Sequence, residues 1–257
     1  MNVIGSVIIY LLLQMCFVWG VYRWLKNPSV VDASWSIGLM MSGLIYLWSD
    51  PTTPRKLVVS GLLILWALRL SGYIWYTRIR HGHVDKRYTE LSNNWKINKS
   101  LGFFLNFQLQ GLLIFIISLV FYWICNSNQT SLNFFDCAAI FVVIFGVIGE
   151  SVADLELYRF KSSHKGEVCN IGLWNYSRHP NYFFDWLTWV GFALLAIQSN
   201  MGFLGIIAPL VMYFIFTQMT GPLTERGSVQ SRGQKYIDYQ KQTSMFFPGF
   251  KKKTDSP

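Results

Sequence analysis

Apolar residues in this chain come in long blocks separated by short clusters of charge, Gly and Pro, without the strict alternation of a half-buried strand. A bilayer core about 30 Å thick takes about 20 apolar residues in a helix. Seven blocks reach that length, at about 3–22, 30–49, 57–77, 102–124, 134–157, 182–198 and 201–220. The second block is less purely apolar than the others. Only Ser199 and Asn200 separate the sixth from the seventh, which predicts a tight helical hairpin. The expected fold class is therefore all-α, a polytopic membrane protein with seven transmembrane helices. A single integral membrane domain is expected over residues 1–257.

Composition strengthens this reading. Charged residues make up 14% of the chain against roughly 25% in soluble domains, and 52% are hydrophobic. The 17% aromatic content, with 11 Trp, suits rings at both bilayer interfaces. The net charge of +9 would suggest nucleic acid in a soluble protein. Its distribution suggests otherwise. The loops after blocks one, three and five and the C-terminal tail hold 19 of the 22 Lys and Arg residues. Such alternation puts those four regions in the cytoplasm, with the N-terminus outside and the C-terminus inside. No nucleic acid is needed to explain the charge. The final "KKKTDSP" reads as a solvated basic terminus able to meet anionic head groups. The first block is long enough to span and lacks a basic flank before it, so no cleavable signal is expected, and the absence of other targeting points to a bacterial inner membrane. Cys16, Cys125, Cys137 and Cys169 form no CxxC pair, and His81 and His83 stand apart from other ligand types, so no metal site is expected.

Ionisable groups inside apolar blocks are costly, and each is a functional candidate. Here they are Asp32, Arg69, Glu150, Asp154, Glu156 and Asp185. Glu150 and Asp154 lie four apart on one helical face, as do Arg69 with Tyr73 and Asn181 with Asp185. Two acids so placed need a shared partner, either Arg69 or a donor-rich ligand. Interhelical pairing of Arg69 with Asp154 would account for single residues. The whole set points to a polar cavity open to the cytoplasm.

The stretch "NYSRHPNYFFDW", residues 175–186, lies at the predicted start of a helix, with Gly172 before it and Pro180 suited to its first turn. A helix start favours anions, and Arg178 and His179 add donors for phosphate or carboxylate. Asn181 and Asp185 offer a donor and an acceptor one turn apart, and Trp174, Tyr176 and Tyr182 are rings able to stack on a planar group. Further on, Glu225, Arg226, Arg232 and Lys235 form a second polar cluster. Tyr236 and Tyr239 there mark one face of a short amphipathic helix, suited either to the membrane surface or to closing over the cavity.

"GLWNYSRHPNYFFDWLTWVGFAL" and "ERGSVQSRGQKYIDYQKQTSMFFP" resemble the DUF1295 membrane proteins, relatives of steroid 5-alpha-reductases, sterol C14-reductases and isoprenylcysteine carboxyl methyltransferases. "VDASW" and "ESVADLELYRFK" look like further hallmarks, so the resemblance runs from about Asp32 to Phe247. It implies a steroid 5-alpha-reductase-like membrane enzyme whose cofactor-binding part covers about 57–257, with an interfacial segment at about 222–250. On the reductase branch the cofactor is NADPH. By motif, Asn181 and Asp185 match the pair at the nicotinamide end, and Asp154 the acid of the fifth block. Arg159 or Lys161 matches the basic residue after it. Arg178 belongs to the "RHP" variant and would meet phosphate, Arg69 and Tyr73 match an Arg-x-x-x-Tyr spacing, and Glu225 and Arg232 match polar C-terminal positions. Two departures stand out. Trp66 occupies the position of the steroid reductases' proton-donating tyrosine, and their substrate-facing glutamate has only Asp32 in the corresponding segment.

The function so implied is NADPH-dependent reduction of a C=C bond in a lipid-soluble, steroid- or isoprenoid-like substrate drawn from the bilayer. Asp32, Tyr73 and Tyr76 are the candidate proton donors. One alternative is an S-adenosylmethionine-dependent methyltransferase of the isoprenylcysteine type, although Arg226 follows Glu225 where that branch carries adjacent acids. Another is a non-catalytic lipid-binding protein. Oligomeric state stays open.

Overall fold

The computed structural model describes residues 2–93 and 95–251, so the terminal residues 252–257 of "KKKTDSP" lie outside the described residues. Helix dominates throughout. The order is α1 (Val3–Leu25), α2 (Val30–Leu47), α3 (Pro54–Ile74), α4 (Lys86–Asn93), α5 (Lys99–Cys125), α6 (Phe134–Ser163), α7 (Pro180–Ala196), α8 (Ile207–Phe214), α9 (Gly221–Arg232) and α10 (Gln234–Gln242). Two π-helical turns, Trp75–Ile79 and Ile215–Thr220, extend α3 and join α8 to α9. The chain is thus an all-α polytopic membrane protein. Among the described residues, six stretches are long and apolar enough to cross a membrane: Val3–Leu25, Val30–Leu47, Pro54–Ile79, Lys99–Cys125, Phe134–Ser163 and Gly202–Arg232. The sixth of the seven expected segments, α7, has 17 residues and reaches only about 26 Å at 1.5 Å per residue, so the count by length and composition among the described residues is six.

Two compact units divide the chain, residues 1–139 with 192–208, and residues 140–191 with 209–257. In the first, α2 packs against α1, α3 and α5. Gly43 permits the closest approach there: a Cβ would lie 2.5 Å from Leu63 and 2.8 Å from Phe121. Asn2 and Thr53 cap α1 and α3 by accepting from the Gly5 and Lys56 backbone N–H groups. The predicted hairpin turn is tight. Ser199 donates from both its N–H and its hydroxyl to the Ala196 carbonyl, and the Gly202 backbone passes so close that a Cβ would meet that oxygen at 1.8 Å.

Two polar locks close the first unit at opposite ends of α3, about 35 Å apart by helical rise. At the start of α3, Arg55 is 1% exposed and pairs with the fully buried Asp136 at 3.0 Å. Its remaining donors reach the carbonyls of Ile124 (3.4 Å) and Leu195 (2.6 Å). Gln198 and the Asn133 backbone complete the shell of Asp136 at 2.9 and 3.2 Å.

At the other end, the π-turn brings Arg78 to Asp32 (3.0 Å) and Asp85 (2.7 Å), and Arg87 spans the same two acids at 2.9 Å each. Tyr88 donates to Asp32 at 2.6 Å. Burial opposes ionisation of Asp85, but the Arg87 and Arg78 guanidinium groups outweigh it and hold the carboxyl well below the usual range. A depressed folded value gives stability that is complete above the ordinary aspartate value of about 3.9 and lost as pH falls through the folded value. Asp85→Asn should therefore flatten the acid limb of the stability curve below about pH 4, measured as Tm against pH. An unchanged acid limb would assign acid sensitivity to other carboxylates.

The second unit begins with α6 on α7. Cβ atoms at Gly146 and Gly149 would strike Thr188 and Phe184 at 2.4 and 2.3 Å, so small residues set the spacing. After α6, the Glu156 carboxylate accepts from Leu173 N–H at 2.9 Å, and Trp174 donates from its indole to the Ala153 carbonyl at 2.9 Å. Gly172 has φ +51° and a Cβ position 2.1 Å from the Glu156 carboxylate, so only glycine suits this turn. Glu156, an intramembrane candidate in the sequence, is thereby a cap.

Candidate functional site

The polar groups of the second unit converge on the start of α7. Ser177 and Arg178 run beside Ser244, joined by an isolated bridge and by Arg178 N–H to Ser244 carbonyl at 2.8 Å. Ser177 donates its hydroxyl to the Phe246 carbonyl at 2.8 Å, and Gly249 N–H reaches the Tyr176 carbonyl at 2.9 Å. Residues 243–249 therefore strap the turn before α7. Below them, Phe183, Trp186, Tyr213, Phe246 and Phe247 form an aromatic cluster with neighbouring centroids 5.2–6.5 Å apart.

Arg178 is the hub of the strap. Its Nε and Nη2 donate to the two oxygens of Glu225 at 2.6 and 3.1 Å, and Nη1 donates to the carbonyls of Gln240 (3.0 Å) and Thr243 (2.6 Å). These bonds commit four of its five N–H groups. Glu225 is likewise saturated, with His179 Nε2 at 3.2 Å and Gln240 at 2.8 Å as further partners. His179, 4% exposed, stacks on Tyr182 at 4.9 Å, and Tyr182 on Phe216 at 4.8 Å. The π-turn Ile215–Thr220 carries Phe216 into that stack.

Asn181 and Asp154 meet one helical turn away. Asn181 Nδ2 donates to Asp154 Oδ1 at 3.2 Å, which fixes the amide's orientation and leaves Oδ1 buried with no donor among the described residues. Contacts of Gly146 with Thr188 and of Asp154 with Asn181 bracket Glu150 and Asp185, placing these two buried acids at one level of the antiparallel pair. Arg159 and Lys161 are exposed near the end of α6. Tyr176 is exposed with Phe250 at 6.2 Å, and Arg232 donates to the Glu167 carbonyl at 2.9 Å.

The tyrosines of α10 point inward. Tyr239 donates to the carbonyls of Trp174 and Ser177, and both Tyr236 and Tyr239 are buried. Burial, then the charge of Glu225, pushes the Tyr236 phenol above its ordinary value. The tyrosine face, read from the sequence as suited to the membrane surface or to closing over a cavity, is an internal packing face, with exposed Lys235, Asp238 and Lys241 opposite it.

The remaining candidates belong to the first unit. Arg69 lies over the ring of Tyr73 at 5.7 Å, and Arg80 over Tyr76 at 5.8 Å. Trp66 is fully buried. Asp32 accepts from two guanidinium groups and one phenol, so its geometry is that of an acceptor. Sequence reasoning missed its partners Arg78, Arg87 and Tyr88, and Asp85, which shares the two arginines with it. The available signal was an acid at a helix start facing a basic loop. Gln240 and the 243–249 strap were missed as well, and no local motif marks them.

Comparison with known proteins gives a family and little more. The family described as "Protein of unknown function (DUF1295)" matches residues 18–243. An uncharacterized protein of Schizosaccharomyces pombe is 25% identical over 266 residues, an alignment covering 90% of this chain and 75% of the yeast one. No solved structure matches.

Proposed function

The chain belongs to the DUF1295 family, and we propose that it is a membrane-embedded NADPH-dependent reductase of an activated C=C bond in a lipid-soluble substrate. One observation carries the reading. Asn181 Oδ1 is a buried acceptor without a donor among the described residues, beside Asp154 and one turn from Asp185. An acceptor so placed is costly unless a ligand supplies the N–H. The carboxamide of a nicotinamide is such a donor, and the residues present fit it.

NADPH, when bound, supplies the hydride. Asn181 and Asp154 orient the carboxamide end, with Asp185 beside them, and the His179–Tyr182–Phe216 stack offers a rigid aromatic wall. The Arg178–Glu225 clip holds the start of α7 in place; with four N–H groups committed, Arg178 has one left for phosphate. Arg159 and Lys161 are better placed by exposure to meet phosphate, and Arg232 keeps donors beyond its carbonyl contact. The protonating role falls to the phenols of Tyr73 or Tyr76, because Asp32 has its oxygens filled by donors. We also place the basic loops on the cytoplasmic face of a bacterial inner membrane, N-terminus outside.

Thermal stability of the detergent-purified protein with NADPH, NADH or S-adenosylmethionine tests this directly. Ligand at about 100 times its Kd adds roughly 2.7 kcal/mol. NADPH should raise Tm, and Asn181→Ala or Asp185→Ala should abolish the rise. A rise retained in both variants would remove the assignment of those residues; a rise with S-adenosylmethionine alone would move the protein to the methyltransferase branch.

A further inference from the structure

A groove of about 390 Å³ opens between α9 and α10, within the size range of small-ligand pockets. Pro222, Val229 and Met245 give it an apolar wall. Arg226 and Gln230, four apart on the same face of α9, stand at its rim and are exposed. Neither side chain enters a hydrogen bond or ion pair among the described residues. The floor is polar but already satisfied. Glu225 and Gln240 bond each other at 2.8 Å, and the Glu225 charge is matched by Arg178 at 2.6 Å. An anion in the groove therefore meets an unmatched guanidinium without facing an unmatched carboxylate.

We infer that this groove binds the phosphate head group of an anionic phospholipid, with Arg226 and Gln230 on the phosphate and the start of the acyl chains on Pro222, Val229 and Met245. Position supports lipid over free phosphate. α9 is the last part of Gly202–Arg232, a stretch long and apolar enough to span, so the groove lies on a helix that emerges from hydrocarbon. Inorganic phosphate would leave the apolar wall wet, whereas a lipid covers it. The inference does not rest on the proposed reductase activity: the rim residues Arg226 and Gln230 lie outside the proposed cofactor shell, and only the floor residue Glu225 is shared with the Arg178 clip.

Lipid retention by the purified full-length protein tests the inference, read by native mass spectrometry with dioleoylphosphatidylglycerol or dioleoylphosphatidylcholine added. Wild-type protein should retain the anionic lipid about fivefold more strongly, the worth of roughly one basic residue near a charged surface. Arg226→Gln should erase the preference, and Val229→Trp, which fills the groove, should reduce retention of both lipids. Lys235→Gln, an exposed charge outside the groove, should change nothing. A preference kept by Arg226→Gln, or lost equally in Lys235→Gln, would overturn the site in favour of diffuse attraction. Displacement of the lipid by inorganic phosphate would make it a free-anion site, and displacement by NADPH a part of the cofactor's; either result overturns the lipid assignment.

Discussion

Arg55→Met should lower the unfolding free energy by about 3–5 kcal/mol, measured by denaturation in mixed micelles, because it strands a buried carboxylate. Asp136 would keep Gln198 and the Asn133 N–H but lose its countercharge, and the carbonyls of Ile124 and Leu195 would lose their donor. The double variant Arg55→Met with Asp136→Leu should recover most of the loss, since an apolar pair of similar volume avoids the desolvation of both charges. A single-variant loss under about 1 kcal/mol would mean that water reaches the pair and that the lock is loose.

The second large effect concerns Glu225. Changing it to Gln replaces one acceptor oxygen by an N–H group facing Arg178, so a bidentate pair becomes one bond and one opposed pair of donors. The expected cost is about 2–3 kcal/mol, below that at Arg55 because the pair is 11% and 10% exposed. Loss of ordered structure should be confined to the second unit and appear as hydrogen exchange in residues 174–178 and 243–249. NADPH binding should weaken alongside, because the start of α7 is no longer held. Exchange unchanged in both segments would show that the strap does not depend on the clip.

The helices were legible in the sequence because burial in lipid demands long apolar runs and satisfied backbone, and both leave a plain pattern. α7 was legible as a helix and in its 17 residues, shifted by two from the expected 182–198; what the sequence reading overcounted was the span, since 17 residues rise only about 26 Å. Asn181, Asp154 and Asp185 were legible through helical spacing and cost. What escaped were pairings set by tertiary geometry. Asp136 and Arg55 looked like ordinary loop-edge charges, 81 residues apart, and no local pattern encodes their meeting. Arg178 looked like a free anion donor because the carbonyls of Gln240 and Thr243 are invisible to side-chain motifs. Tyr236 and Tyr239 gave a correct face but not its direction, since an aromatic stripe at helical spacing serves membrane surface and protein core alike.

The strap also sets an order of events during synthesis. Arg178 Nη1 bonds the carbonyl of Thr243, 65 residues later in the chain. At about 5–20 residues per second, the ribosome takes several seconds or more to deliver that partner. Until Glu225 follows, the guanidinium has no countercharge, and until Thr243 follows, the turn before α7 has no strap to hold it. Cellular quality control would therefore meet an incomplete second unit in every newly made molecule. A premature stop before residue 243 would make that transient state permanent, so such products should be degraded rather than accumulate as a shortened protein.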